Sequence, residues 1–470
     1  MRQTEKYYRW MFIIFPALAV MLGWGLRGHI GGGPFGAMIP GAMLAMSLSL
    51  LLKLPAAAAS IIVIFGVYGI GMGGQMTYGQ TIGLLLNPET VWWGSLGLTV
   101  KGAMWGLLGG AVFSLGFVYQ RLSKKMIIAG LLLMILGMFI GIKLINEPMI
   151  IYFSDPLNPR SESWAGLLVG AVTLLTFLSF KMSPADFKVI RRFALLGLIG
   201  GGLGFGLGGF WMVLGSTIPE VNYIDWWKGM EFTFGLLLGA FLGYAAWLSR
   251  NDIQALIVKD RGGQELLYKS VYKELGIILL VVLLTYWVIP WSLRQFIAAV
   301  GSNEGFIYSV LFNTARAMST YAFRGGFFFV LVVMLFPRIA WQVGITVTFC
   351  HTAIDLIIRG FYPEVNPLAI FSTHFLIVIL MTGVVSVLAA YFSRKGDVTR
   401  NMFLLLIWSC ILVSLTKLTN LPDWIYIDGL TKGQMFLRKY LIDIIFVVSG
   451  IIVSLMVVHT SRNFDSNNQT

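Results

Sequence analysis

Fourteen apolar runs, most of them about 17–25 residues long, constrain this chain more than any other feature of its sequence. A helix needs roughly 20 apolar residues to cross the hydrocarbon layer of a membrane, and there it has to satisfy every backbone hydrogen bond internally. Because 57% of the residues are hydrophobic and 12% are charged, we predict an all-α integral membrane protein with about fourteen transmembrane helices. The runs lie near 10–26, 34–52, 57–75, 96–119, 126–146, 164–181, 193–213, 229–248, 275–290, 305–336, 339–358, 368–392, 402–418 and 440–460.

The lysines and arginines are concentrated in alternate loops between these runs. This pattern predicts that both termini are cytoplasmic, because cytoplasmic loops carry the excess of positive residues. It also explains the net charge of +13 without nucleic acid, since no basic stripe with interleaved aromatic residues is present. Lys432, Arg438 and Lys439 are the exception, because they put positive charge on the predicted outer side.

A short glycine-rich phrase recurs in the early helices. It reads AMIPGA at 37–42, GLLGGA at 106–111, GLLVGA at 166–171 and GLLLGA at 235–240. Small residues four positions apart allow helix backbones in lipid to approach closely. We therefore predict that residues 1–250 form a transmembrane half of four repeated glycine-rich helical hairpins, in two tandem units of about 10–120 and 126–248.

The rest of the chain is predicted to divide into three parts. A basic cytoplasmic linker covers 251–274, a C-terminal transmembrane half of about six helices covers 275–462, and a polar tail covers 463–470.

The stretch GWGLRGHIGGGPFGAMIPGA, residues 23–42, places Arg27 and His29 among glycines at the end of the first apolar run. Irregular backbone at membrane depth is tolerated where it lines a cavity or is buried in protein. We predict that this turn and the corresponding turn of the second hairpin are two walls of one substrate site. The alternative is that Arg27 extends to the outer interface and the glycines only make a tight turn. The polar residues of the second turn are Gln75, Thr77, Tyr78 and Gln80.

Four further charged or titratable residues in the apolar runs are candidates for ion coupling. Lys101 and Glu231 lie at related depths in the fourth and eighth runs, where they could form an ion pair that acts either as a structural lock or as a coupling site. His351 and Asp355 are one helical turn apart in the eleventh run, which fits a proton relay or a packing hydrogen bond.

The tenth run contains two arginines, Arg316 and Arg324, that share a helical spacing with Asn313 and Thr320. Arginine recognises carboxylate or phosphate through its planar guanidinium group, so both are candidate substrate-binding residues. The alternative is an amphipathic surface segment that precedes a shorter span.

Other chemistries find little support in the sequence. Cys350 and Cys410 both lie in apolar runs and are predicted to pack as small hydrophobic residues. No spacing of His, Cys, Asp or Glu indicates a metal site, so we expect no metal, no cofactor and no catalytic residue.

The opening stretch, together with MTYGQTIG and WWGSLGL, resembles bacterial inner-membrane multi-span proteins that carry a GWG-x-RG…GAM-x-PGA signature. The resemblance covers mainly residues 20–120. It implies a multi-pass protein of the bacterial inner membrane and an amino-sugar permease. The implied solute is N-acetylmuramic acid, whose lactyl carboxylate suits arginine.

These observations favour a secondary active transporter that imports a small polar or acidic solute, such as an amino sugar, by symport with a proton or sodium ion. Its expected partners are the solute, the coupling ion and membrane lipid, and not nucleic acid. The alternative is a membrane-embedded transferase acting on a lipid-linked or acylated saccharide at the extracytoplasmic face, and a channel or assembly scaffold is a third reading. A transferase needs a positioned acid or base, and the candidates are Asp155, Glu162, Asp225 and Glu231.

Overall fold

The computed structural model describes residues 2–76, 78–155, 157–257, 268, 270–301, 303, 305–361, 369, 372–419 and 429–465. It is 87% helical, and these ranges contain no strand. The predicted fold class, an all-α multi-span membrane protein, is therefore confirmed. Much of the predicted linker at 251–274 and of the tail at 463–470 lies outside the described residues, as do Thr77 and the side chain of Gln75.

Each predicted apolar run contains a helix, or in one case a bent pair of helices. We number these segments α1 (Tyr8–Ile30), α2 (Gly33–Leu51), α3 (Ala56–Met72), α4 (Val91–Arg121), α5 (Lys124–Asn146), α6 (Trp164–Lys181), α7 (Pro184–Thr217), α8 (Trp226–Leu256), α9 (Val271–Gly301), α10 (Phe306–Ser319 and Tyr321–Leu335), α11 (Pro337–Phe361), α12 (Thr373–Phe392), α13 (Val398–Thr419) and α14 (Lys432–Ser461).

Twelve of these segments are long and apolar enough to cross a membrane, and α10 makes thirteen if its two pieces count as one span. The pieces of α10 meet at an angle of 47°, because the backbone is extended at Thr320, with φ −70° and ψ 158°. The remaining segment, α3, is an apolar helix of 17 residues, one residue shorter than the shortest of the twelve.

Six helices of the N-terminal half, α1, α2, α3, α4, α7 and α8, contact their neighbours in a closed cycle. Three of the four glycine phrases lie where these helices cross, and the fourth, at 166–171, lies where α6 packs against α5. A Cβ atom added to Gly106 of α4 would lie 1.8 Å from the carbonyl oxygen of Gly197 in α7, and one added to Gly239 of α8 would lie 2.4 Å from that of Pro16 in α1. Glycine is required at these crossings because any side chain would push the backbones apart.

The remaining helices surround this cycle. The hairpin of α5 and α6 packs outside it, with α6 against α4. In the C-terminal half, α13 and α14 pack against α1, whereas α10 and α11 pack against α3. The end of α1 therefore lies at the seam between the two halves of the chain.

Four buried aromatic side chains fill the middle of the cycle. Trp24 of α1 lies 4.8 Å from Trp105 of α4 and 4.4 Å from Phe234 of α8, and Phe234 stacks on Phe205 of α7 at 4.0 Å between ring centroids. All four are fully buried. This aromatic cluster closes the interior of the cycle directly beneath Arg27, whose guanidinium lies over the rings of Trp24 and Trp105.

Candidate functional site

A cavity of about 790 Å³ opens at one end of the helix bundle. It lies where α1, α7, α11 and α13 end and where α8 and α14 begin, so both halves of the chain contribute to its wall. Its wall contains polar side chains and the aromatic side chains of Tyr223, Trp226 and Trp227. We call this feature the basic cavity because of its charge.

Among the described residues that line the basic cavity, positive side chains outnumber negative ones. Five cationic residues and two carboxylates are among its described lining residues. In a low-dielectric surrounding an excess of one sign of charge is costly unless a ligand compensates it. The lining cations are Lys228, Arg359, Lys417, Arg438 and Lys439, and the carboxylates are Asp225 and Asp443.

Arg27 lies just beneath the floor of the basic cavity. The residue is 6% exposed, and its Nη1 donates a 2.8 Å hydrogen bond to the hydroxyl of Tyr78. Its Nε is buried without a hydrogen-bond partner among the described residues. The structure thus brings Arg27 of the first hairpin turn into direct contact with Tyr78 of the second.

Glu231 joins Arg27 to the cavity floor. Its Oε2 accepts a 2.6 Å hydrogen bond from Lys228 Nζ, and its Oε1 accepts a 3.2 Å bond from Trp227 Nε1. Arg27 Nη1 lies 4.0 Å from the same Oε1. Lys228 and Trp227 line the cavity, whereas Glu231 is 1% exposed, so Lys228 and Trp227 form the layer between the carboxylate and the cavity.

The glycines of the opening stretch make room for this charged layer. A Cβ atom on Gly28 would lie 2.0 Å from Glu231 Oε2, and one on Gly32 would lie 2.4 Å from Arg359 Nη2. Gly33 has φ +69°, a left-handed conformation that favours glycine. The glycines therefore let charged side chains from α8 and α11 lie directly against the end of α1, and they also allow the chain to turn there.

His29 lines the basic cavity on the other side of this turn. Its Nε2 is buried and has no hydrogen-bond partner among the described residues, and its ring packs edge-on against Phe446 at 5.6 Å. The Lys417 ammonium donates to the His29 carbonyl oxygen. The half-buried imidazole of His29 thus has one buried nitrogen at the cavity wall with unused hydrogen-bonding capacity.

The two coupling candidates in α11 have different partners. Asp355 Oδ1 pairs with Arg359 Nε at 3.1 Å, while its Oδ2 is buried without a partner in the described structure. His351 Nε2 donates a 3.0 Å hydrogen bond to the carbonyl oxygen of Gly32. Asp355 therefore holds Arg359 next to the cavity, and His351 holds the opening stretch there.

Lys101 and Glu231, which the sequence suggested as partners, each pair elsewhere. Lys101 Nζ donates to Glu162 Oε1 at 2.6 Å and to Thr81 Oγ1 at 2.7 Å. Glu162 also accepts hydrogen bonds from Ser154 Oγ and from the backbone N–H of Phe153. These hydrogen bonds tie the loop before α6 to α4 and to the short helix Gly79–Leu86. Gln80 belongs to the same region, since its Nε2 donates to the Asn158 carbonyl.

The two arginines of α10 lie apart from the basic cavity. The bend at Thr320 interrupts the polar stripe predicted for a continuous helix. Arg316 is exposed and lies near the Phe312 ring, whereas Arg324 is half-buried over the Phe35 ring at 5.0 Å. Neither is among the described residues that line the cavity.

The carboxylates considered for a transferase are dispersed. Asp155 is exposed on the loop before α6, Glu162 is paired with Lys101, and Asp225 lines the basic cavity. No group of three His, Cys, Asp or Glu that could hold a metal ion occurs within the described ranges.

Sequence reasoning missed Lys228, Lys417 and Asp443, and it gave no role to Arg438 and Lys439. A usable signal did exist for the last two, because they break the rule that positive residues are cytoplasmic.

No family model matches this chain, and no curated protein and no solved structure matches it either.

Proposed function

We propose that this protein is a secondary active transporter of the bacterial inner membrane that imports a small acidic solute, such as an amino sugar resembling N-acetylmuramic acid. The observation that carries the proposal is the excess of cationic over anionic side chains among the described residues that line the basic cavity. A soluble anion bound there would offset that excess, and its ring could pack against Trp226 and Trp227.

The position of the cavity supports import. The distribution of lysine and arginine predicts cytoplasmic termini, which would place the basic cavity at the extracytoplasmic face. Arg438 and Lys439, the exceptions to that distribution, line the cavity. Their charge is then explained by solute recognition, since intramembrane and misplaced charges are costly and are usually retained for function.

The aromatic cluster beneath Arg27 supports a transport cycle. Trp24, Trp105, Phe205 and Phe234 separate the basic cavity from the opposite end of the bundle. Alternating access requires such a barrier on one side of the solute at any time. The arrangement corresponds to a state open to one face, and transport would require the helices that carry these rings to separate.

Uptake by whole cells tests the proposal. A strain that lacks the gene and the same strain carrying it are compared for uptake of labelled N-acetylmuramic acid, N-acetylglucosamine and other amino sugars. We expect the gene to confer accumulation of an acidic sugar. A protonophore should abolish this accumulation if the coupling ion is a proton, and removal of sodium should abolish it if the coupling ion is sodium. Chemical modification of the sugar without accumulation would instead favour the transferase.

A further inference from the structure

The buried part of the solute site holds more positive than negative charge. Arg27 and Lys228 face a single carboxylate, that of Glu231, and all three residues are more than nine-tenths buried. The neighbouring charges belong to the same electrostatic group, since Asp355 pairs with Arg359 and also attracts Arg27, and Lys417 interacts with Asp355 and with Asp443. Counted together, four cations (Arg27, Lys228, Arg359 and Lys417) face three carboxylates (Glu231, Asp355 and Asp443), so one positive charge is left over among these described residues.

Lys228 is the member of the group that a solute can reach. It lines the basic cavity while its Nζ is held 2.6 Å from Glu231 Oε2. Arg27 lies behind the carboxylate, 4.0 Å from Oε1, and its Nε has no hydrogen-bond partner in the described structure. A small movement of Glu231 toward Arg27 would therefore replace the Lys228 contact with a direct pair.

We propose that Lys228 recognises a single carboxylate of the solute, and that this carboxylate displaces Glu231, which then pairs with Arg27. The inference rests on the proposed function and names the charge of its solute. In the empty site Glu231 occupies the position of the solute carboxylate and keeps Lys228 in place. After binding, two carboxylates and two cations are matched, so a monocarboxylate is preferred over the uncharged form of the same solute.

Trp227 makes the exchange measurable. Its Nε1 donates to Glu231 Oε1, so displacement of the carboxylate changes the surroundings of the indole and its fluorescence. Purified protein in nanodiscs is titrated with N-acetylmuramic acid, with lactate, and with N-acetylglucosamine, which lacks the lactyl carboxylate. We expect the acidic sugar to bind at least about 30-fold more tightly than the neutral sugar, since removing one partner of a buried charge pair has effects of this size.

Substitutions at Lys228 test the assignment. Lys228→Met should lower the affinity for the acidic sugar to that for the neutral one, and Lys228→Arg should restore part of the difference. Lys228→Met removes one of the two cations beside the buried Glu231 carboxylate, so a loss of binding could come from poorer folding. The double variant Lys228→Met/Glu231→Gln removes that carboxylate as well, and it should show the same loss of preference for the acidic over the neutral sugar. Lys143→Met is the matched control, since Lys143 pairs with Glu147 at 2.8 Å on an exposed face away from the cavity.

Each outcome decides one statement. The assignment would be overturned if Lys228→Met and Lys228→Met/Glu231→Gln both bound N-acetylmuramic acid tightly. It would also be overturned if the wild type bound acidic and neutral sugars equally, or bound neither N-acetylmuramic acid nor lactate. Binding that depends on Lys228 without any uptake into vesicles would uphold the carboxylate site and reject transport. Uptake that persists in Lys228→Met would uphold transport and reject this site.

Discussion

Replacing Lys101 by methionine removes the ammonium group that faces Glu162 inside the protein. The two side chains are fully buried, and 2.6 Å separates their charged atoms. Removing one member of a buried ion pair costs about 3–5 kcal/mol, because the other charge is left in a low-dielectric surrounding. Glu162 keeps its hydrogen bonds from Ser154 and from the Phe153 N–H, so we expect the lower end, about 3 kcal/mol.

The stability lost in Lys101→Met should appear as easier opening of the loop that precedes α6. Arg160 lies on this loop, and its backbone N–H and carbonyl are both bonded to the Tyr152 hydroxyl. Trypsin cleavage after Arg160 therefore reports local opening. When reclosing is faster than cleavage, the rate follows the open population, so about 3 kcal/mol corresponds to a rate about 100-fold higher.

Two comparisons make this prediction specific. Lys143→Met breaks the Lys143–Glu147 pair, whose side chains are 33% and 49% exposed, and such pairs contribute about 0–1 kcal/mol. The double variant Lys101→Met/Glu162→Met should recover part of the lost stability, because it removes the unpaired buried charge but leaves the Ser154 hydroxyl and the Phe153 N–H without their acceptor. If Lys101→Met cleaves no faster than Lys143→Met, or the double variant is worse than the single one, the structural role of this pair is wrong.

Three further outcomes are expected. Gly106→Ala should lower the yield of folded protein in detergent, because the added Cβ would lie 1.8 Å from the Gly197 carbonyl oxygen. Gly383→Ala is the control and should not lower the yield, because no atom lies within 4 Å of its added Cβ. Equal yields of the two variants would contradict the helix crossing. Arg27→Gln should abolish uptake of the acidic sugar while membrane insertion is retained, and unchanged uptake would remove Arg27 from the site. Arg316→Ala should change uptake less than about 2-fold, since surface substitutions have small effects; a large loss would place the solute path along α10.

The sequence predicted the helical framework because that framework depends on local composition. Apolar runs long enough to cross a membrane need no knowledge of their neighbours, and all of them contain helices. For the tenth run the sequence left two interpretations open, one polar stripe on a helix or an amphipathic segment before a shorter span, and the structure divides the run at Thr320, where the backbone is extended and no proline marks the break.

The sequence also indicated the end of α1, since arginine, histidine and several glycines stand together there. It could not supply the remaining charges of the site. Lys228, Lys417 and Arg438 lie on three different helices, and only tertiary packing brings them to one cavity. The partner of Lys101 was missed for the same reason, because Glu162 lies in a loop 61 residues further along the chain.

Flux into proteoliposomes that contain only the purified protein shows whether this chain by itself moves an acidic sugar across a membrane. Labelled N-acetylmuramic acid is supplied outside, with an inward proton gradient in one preparation and an inward sodium gradient in another. We predict saturable accumulation above that of protein-free vesicles under one of the two gradients, with less accumulation of N-acetylglucosamine. No flux of any acidic or neutral amino sugar under either gradient would contradict it.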